Sequence, residues 1–149
     1  TPGPTYADTA TLVQSHLSQL GMQVDVEIMD FSTWLQEVWV DKNYQLSVGS
    51  WSGRIDPDGW YYRQYHSEGP WNIWHYSNDE VDSLVEEGRT TTDPAKRGEI
   101  YSQVESIISE EVPQTYLYFR ESLTGLKDTV SGYTLAPTHQ AALETVYKE

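Results

Sequence analysis

Arg54 is the side chain whose type and place offer the most chemistry. It is one of only five arginines in a 149-residue chain that carries 23 Asp plus Glu and a net charge of −14. A guanidinium in such a setting can fork onto a carboxylate or stack on an aromatic ring. The next residues, Ile55-Asp56-Pro57-Asp58-Gly59, supply two local carboxylates, so an ion pair with Asp56 or Asp58 is an equally open role for it. Asp-Pro-Asp-Gly is itself a turn signal, because Asp hydrogen-bonds its own backbone and Pro fixes its dihedral. As a hydrolytic pair these acids are poorly spaced. Two carboxylates two residues apart seldom face each other across a sugar ring at the separations of about 5 to 9.5 Å that glycoside hydrolysis needs.

The other reactive types are sparse or scattered. His16, His66, His75 and His139 show no i, i+4 pair of the helical metal-site kind. His66 and His75 share one segment, where hydrogen-bonded histidines are favoured over metal ligands. The absence of Cys excludes disulfides, thiolate catalysis and Cys-bound zinc. No Gly-x-Ser-x-Gly, phosphate loop or dinucleotide fingerprint occurs. No catalytic residue, metal ligand or cofactor is therefore assigned. The acidity argues against nucleic-acid or anionic-membrane partners, and no apolar run reaches the roughly 18 to 20 residues of a membrane span. The opening Thr1-Pro2-Gly3-Pro4 lacks the basic and apolar regions of a signal peptide, which points to a mature chain or a piece of one.

Aromatic side chains are the positive signal: the chain has 6 Trp and 11 Tyr against 2 Phe, a composition that weighs against disorder. They concentrate between Trp51 and Tyr76. Trp51, Trp60, Trp71 and Trp74 with Tyr61, Tyr62, Tyr65 and Tyr76 can offer ring faces and hydroxyls to a small molecule, a peptide or a sugar, or can pack their segment onto the domain.

The flanking elements must position that segment. Thr5-Tyr6-Ala7-Asp8 reads as a capping box, and Ala10, Val13, Leu17 and Leu20 mark a helix ended by Gly21. Val24, Val26 and Ile28 alternate with polar residues as a strand does. Ser32 can cap a helix carrying Trp34, Leu35, Val38 and Trp39, and residues 44–51 read as a second strand. Helices alternating with strands suggest a largely parallel sheet. Ligands of open α/β sheets sit outside the carboxyl ends of the strands, which is where the aromatic segment, residues 52–76, begins. Periodicity stops there, and an unstructured loop of that length is usually functional or disordered. After it, residues 77–80 form a capping box, with Val81, Leu84 and Val85 turned inward. Asp93 can cap a long helix with Pro94 at its first position, running to Pro113. Thr115 to Ser122 reads as a third strand, and Ala141 to Tyr147 as a short helix or strand.

These residues in this order carry a resemblance. Leu12-Val13-Gln14 through Leu17, Leu20-Gly21, Val24-Asp25-Val26, Tyr44-Gln45-Leu46 and Trp51-Ser52-Gly53-Arg54-Ile55-Asp56-Pro57-Asp58-Gly59 resemble the solute-binding proteins of ABC importers, in the dipeptide, oligopeptide and nickel class known as family 5. Asn72, Tyr76-Ser77-Asn78, Glu80-Val81-Asp82, Leu84-Val85, Asp93, Arg97, Tyr101, Glu110 and Pro113 continue the series. The resemblance implies an α/β lobe of the class II periplasmic-binding-protein type, a mostly parallel sheet flanked by helices. Residues 1–149 would form a single domain, the C-terminal (second) lobe of a larger two-lobed protein, beginning just after a family strand whose loss leaves a sheet edge open. The implied function is capture of a peptide or related small polar solute between the lobes, outside the cytoplasm, and delivery to a membrane permease, without catalysis, cofactor or membrane insertion.

The resemblance also implies site residues. In peptide-binding members, main chain near a Trp-x-x-Asp segment pairs with the ligand and the Asp takes its amino terminus. Here the segment is Trp51-Ser52-Gly53-Arg54, and Arg in place of Asp favours a carboxylate or another anionic group. Asp56 could supply an amine contact from a shifted position. The expected ligand-binding set is Trp51, Ser52, Gly53, Arg54, Asp56, Trp60 and Asn72. A carbohydrate-binding or carbohydrate-active protein using the aromatic segment is the alternative.

Overall fold

The computed structural model describes residues 4–119, 121, 123–135 and 141–149. The chain divides into two compact units, Thr1–Trp51 and Ser52–Glu149.

The first unit opens with helix α1, Pro4–Gln19, and Gly21 follows at φ 82°, the left-handed conformation that stops the helix without a Cβ penalty. A second helix follows from a cap two residues earlier than expected. Asp30, not Ser32, accepts the orphan N–H groups of Ser32 and Thr33 at 2.9 and 3.2 Å, together with the Thr33 hydroxyl, which hold its carboxyl below the usual range. Helix α2, Phe31–Trp34, then widens into a π-helical stretch, Leu35–Val40. Residues 23–30 and 44–51 carry no regular secondary structure. Residues 23–29 and 44–50 line an open cleft of about 1390 Å³ with Tyr6, Val13, Trp34 and Val38. Side chains tie this unit together: Gln14 donates to the Val24 carbonyl and Trp34 Nε1 to Ser47 Oγ.

The second unit holds the core. Helix α3 is Asp58–Tyr65, α4 is Asp79–Thr90 and α5 is Pro94–Glu111. Tyr65, Val81, Val85, Val104 and Ile108 form the buried cluster where these three helices meet. Asn78 caps α4 by accepting from the Glu80 and Val81 N–H groups, and its amide donates to Glu111 Oε1 at 2.9 Å. The start of α4 is thereby tied to the end of α5. Asp93 caps α5 on the Lys96 N–H, with Pro94 at the first position. The helix ends on Val112, left-handed at φ 48° just before Pro113. Gly88 lets α4 and α5 approach: a Cβ there would lie 2.8 Å from Tyr101 Cζ.

Beyond Val112 the described pairings are antiparallel. Strand β1, Val130–Ser131, pairs with β4, Tyr147–Lys148, and between them β2, Thr134–Leu135, pairs with β3, Ala141–Ala142. The second of the two readings of residues 141–147, strand, holds at both ends.

Three expectations differ from what the described residues show. No parallel strand pair exists among the described residues. Alternation along 24–28 and 44–51 reports a face suited to half-burial, but a strand also needs a neighbouring strand, and among the described residues neither segment is paired in a sheet. Residues 115–119 and 121 are likewise not strand; Arg120 and Ser122 lie outside the described residues, as do His139 and Thr1-Pro2-Gly3. Residues 52–76 are not structureless, because α3 forms inside them. Its aromatics pack on more than one side, so no helical hydrophobic period shows in the sequence.

Candidate functional site

The Asp56-Pro57-Asp58-Gly59 turn builds the start of α3. Asp56 Oδ1 accepts the Asp58 N–H at 2.8 Å, and its carbonyl takes the Gly59 N–H at 3.1 Å. Its carboxylate faces α5, where Arg97 forks onto it with Nη1 to Oδ2 at 2.9 Å and Nη2 to Oδ1 at 2.7 Å. Those bonds hold the Asp56 carboxyl below the usual range and raise Arg97 further above its own. Arg97 Nε also donates to the Gly88 carbonyl, so one guanidinium joins the turn, α4 and α5. Asp58 faces Arg89 Nε at 3.1 Å, and that guanidinium lies 3.8 Å from the Tyr62 ring centroid.

Both local carboxylates are thus engaged by distant arginines, and the ion pair open to Arg54 in the sequence does not form. Arg54 is exposed and lies over Trp71, its Cζ 4.9 Å from the indole centroid. Arg63, in the last turn of α3, lies over the same ring at 4.6 Å. The backbone fixes this arrangement, because the Trp71 N–H donates to the Arg63 carbonyl at 2.8 Å. Sequence reasoning singled out Arg54 and counted Trp71 among the aromatics but passed over Arg63. The signal for it is Gly69-Pro70, a turn pair that sends the chain back past the end of α3.

The remaining expected residues have different surroundings. Ser52 and Gly53 are exposed and without regular secondary structure. Trp51 ends the first unit, half-buried, its ring 5.4 Å from that of Trp39. Trp60 packs against the helical core. Asn72 is buried and its amide is spent on the backbone, donating to the His66 and Tyr76 carbonyls and accepting the Tyr76 N–H at 3.0 Å. It fixes the loop that carries Trp71.

Most of the aromatic surplus is core. Tyr65 is completely buried, edge-on to Tyr76 and beside Trp74, and Tyr61 stacks on Tyr101 at 5.6 Å. Burial pushes the Tyr61 hydroxyl up to about 12, with the Glu105 charge adding to it. His66 is buried as well: its Nδ1 accepts the Glu68 N–H, which leaves Nε2 to donate toward Glu86 Oε1 at 3.3 Å. His75 is exposed. Among the described residues no three His, Asp or Glu side chains converge as a metal site would require.

Comparison with known proteins gives this arrangement a context. Residues 1–72 match the model of the family described as bacterial extracellular solute-binding proteins, family 5 Middle. The oligopeptide-binding protein AppA of Bacillus subtilis is 27% identical over 138 residues, 87% of this chain and 24% of the relative. The peptide transport periplasmic protein SapA of Salmonella typhimurium is 28% identical over 152 residues, 98% of this chain and 27% of the relative. Among solved structures, the ABC transporter substrate binding protein CtaP from Listeria monocytogenes superposes with a TM-score of 0.58 at 30% identity, covering 68% of this chain and 21% of that one. The chain spans about a quarter of the length of the curated relatives it matches. Nothing in these matches supports the carbohydrate alternative. By the family model over residues 1–72 and by relatives along most of its length, the chain is similar to the bacterial extracellular solute-binding proteins of family 5.

Proposed function

We propose that this chain is part of the substrate-binding component of an ABC importer, which captures a peptide or related small polar solute between two lobes and delivers it to a membrane permease. The observation that carries this reading is the length of the match: relatives named for oligopeptide binding and peptide transport align with 87% and 98% of the chain. The chain acts by binding, without catalysis. Residues 1–149 supply the second lobe, as a single functional domain, and in the complete protein Val24–Ile28 and Tyr44–Trp51 are strands of a mostly parallel sheet. The protein works outside the cytoplasm. Among the described residues no helix is long and apolar enough to cross a membrane.

Within the lobe, Trp51, Ser52, Gly53 and Arg54 form the ligand-facing edge. Ser52 and Gly53 offer main chain and Arg54 its charge, while Asp56, Trp60 and Asn72 act from behind. Asp56 is held by Arg97 and Asn72 by the backbone, so both set the position of the edge. The test uses the full-length protein in a thermal-shift screen of dipeptides, oligopeptides, amino-acid derivatives, opine-like compounds and oligosaccharides. A bound peptide raises the melting temperature by mass action, and Arg54→Ala weakens that binding by about 1 to 2 kcal/mol. A folded full-length protein that no peptide stabilises overturns the reading.

A further inference from the structure

Two guanidinium groups at one ring is an arrangement that asks for a third participant. Like charges brought to one ring repel. Proteins ordinarily relieve such repulsion with a carboxylate, and this chain has 23 Asp plus Glu to draw on. The carboxylates nearest Arg54 in sequence are spent elsewhere, Asp56 on Arg97 and Asp58 on Arg89. Among the described residues neither Arg54 nor Arg63 forms an ion pair. Both are exposed, so their donors are open to a solute.

The pair is also held in place. Arg63 sits in the last turn of a helix, and Trp71 hangs from its carbonyl through a 2.8 Å hydrogen bond. Buried Asn72, next in the chain, clamps the loop on both sides. Arg54 reaches the ring along Gly59, where an added Cβ would already lie 3.5 Å from the Arg54 stem. A guanidinium not spent on an ion pair keeps an N–H fork that receives a carboxylate.

We infer that Arg54 and Arg63, seated on Trp71, form a carboxylate-binding subsite for the captured solute. This rests on the importer reading for its place in transport, and on the geometry alone for its chemistry. The carboxylate is a ligand's chain terminus or an acidic side group.

The test takes the full-length protein with 15N-labelled arginine and titrates succinate at constant ionic strength, with sodium chloride as the control. Saturable shifts of the Arg54 and Arg63 Nε resonances, absent with chloride and absent at Arg97, are the expected result. Shifts that only track chloride, or none, overturn the subsite. Calorimetry then compares Ala-Ala with Ala-Ala amide on the wild type and on Arg63→Gln, with Arg63→Lys as the variant that keeps the charge and loses the fork. The expected result is binding of the amide weaker by about tenfold or more, a difference that Arg63→Gln erases and Arg63→Lys restores in part. If Ala-Glu amide regains the affinity, the side-group carboxylate also serves, and the subsite stands. Equal binding of Ala-Ala and its amide overturns the subsite while leaving peptide capture intact. Saturable succinate binding with no peptide binding does the reverse.

Discussion

The second unit has four described arginines and uses them in two ways. Arg89 and Arg97 carry their charge into carboxylates, and Arg54 and Arg63 carry theirs onto Trp71. The division follows from which acids lie within reach once the helices pack. Asp56 looks like a partner for Arg54, two residues away in sequence, but its fork comes from Arg97, 41 residues on. Local spacing in a sequence favours the short pair, and packing decided for the long one, so the freedom of Arg54 was open in the sequence but not legible there. Arg63 was invisible, since nothing in an arginine at a helix end announces the ring that a later turn will bring to it. The Asp56–Arg97 fork has a pH signature. The folded carboxyl lies below its unfolded value of about 3.8, so its stabilisation is complete above that value and is lost as pH falls through the folded value. Asp56→Asn is therefore expected to flatten the acid limb of the unfolding curve below about pH 4. Because Asp56 is more than half exposed, a double-mutant cycle with Arg97→Gln should give a coupling of about 0.5 to 1 kcal/mol. A cycle that closes to zero with an unchanged acid limb would show that the fork only positions the turn.

At the scale of elements, helices were legible where a cap and a stop bracket them. Asp93-Pro94 opened α5 where the sequence placed it, and α4 began from Asn78 within the expected box. Both signals are local: a side-chain oxygen meets an N–H two or three residues away. The short α3 was not legible because its aromatic residues face several neighbours at once, and the strands were not because pairing depends on remote chain. The α4–α5 contact yields a paired prediction on two glycines. A Cβ at Gly88 would stand 2.8 Å from Tyr101 Cζ, and that ring is buried, stacked on Tyr61 and held by Arg97. Gly88→Ala should lower stability by about 1 to 3 kcal/mol through overpacking. Gly98, an exposed position within α5, has nothing within 4 Å of its would-be Cβ. Gly98→Ala should raise stability by about 0.5 to 1 kcal/mol through helix propensity and a less flexible unfolded chain. Urea midpoints of the two variants check both, and equal shifts would refute the close α4–α5 approach.

At the scale of the whole molecule, the two units differ in what they bury. The second has a helical core of five buried residues, whereas in the first, among the described residues, Val38 alone is buried. Leu12, Leu20, Ile28, Val40 and Leu46 stay exposed there. Apolar burial is the main favourable term in folding, and one buried valine cannot offset the ordering entropy of fifty residues. Residues 24–28 and 45–50 also make no backbone–backbone hydrogen bonds among the described residues, although their alternating apolar side chains suit a sheet. Under the proposed importer reading, chain from the rest of the protein laid beside these segments as a strand would remedy both deficits. Hydrogen exchange separates the two situations. In the 149-residue chain the amides of 24–28 and 45–50 should exchange at close to the unprotected rate while those of α4 and α5 stay protected, since protection tracks local hydrogen bonding and burial. In the full-length protein the same two segments should become as slow as the helical core. If they remain fast there, the alternation of Val24, Val26 and Ile28 has some cause other than a sheet, and the strand assignment in the proposed lobe fails with it.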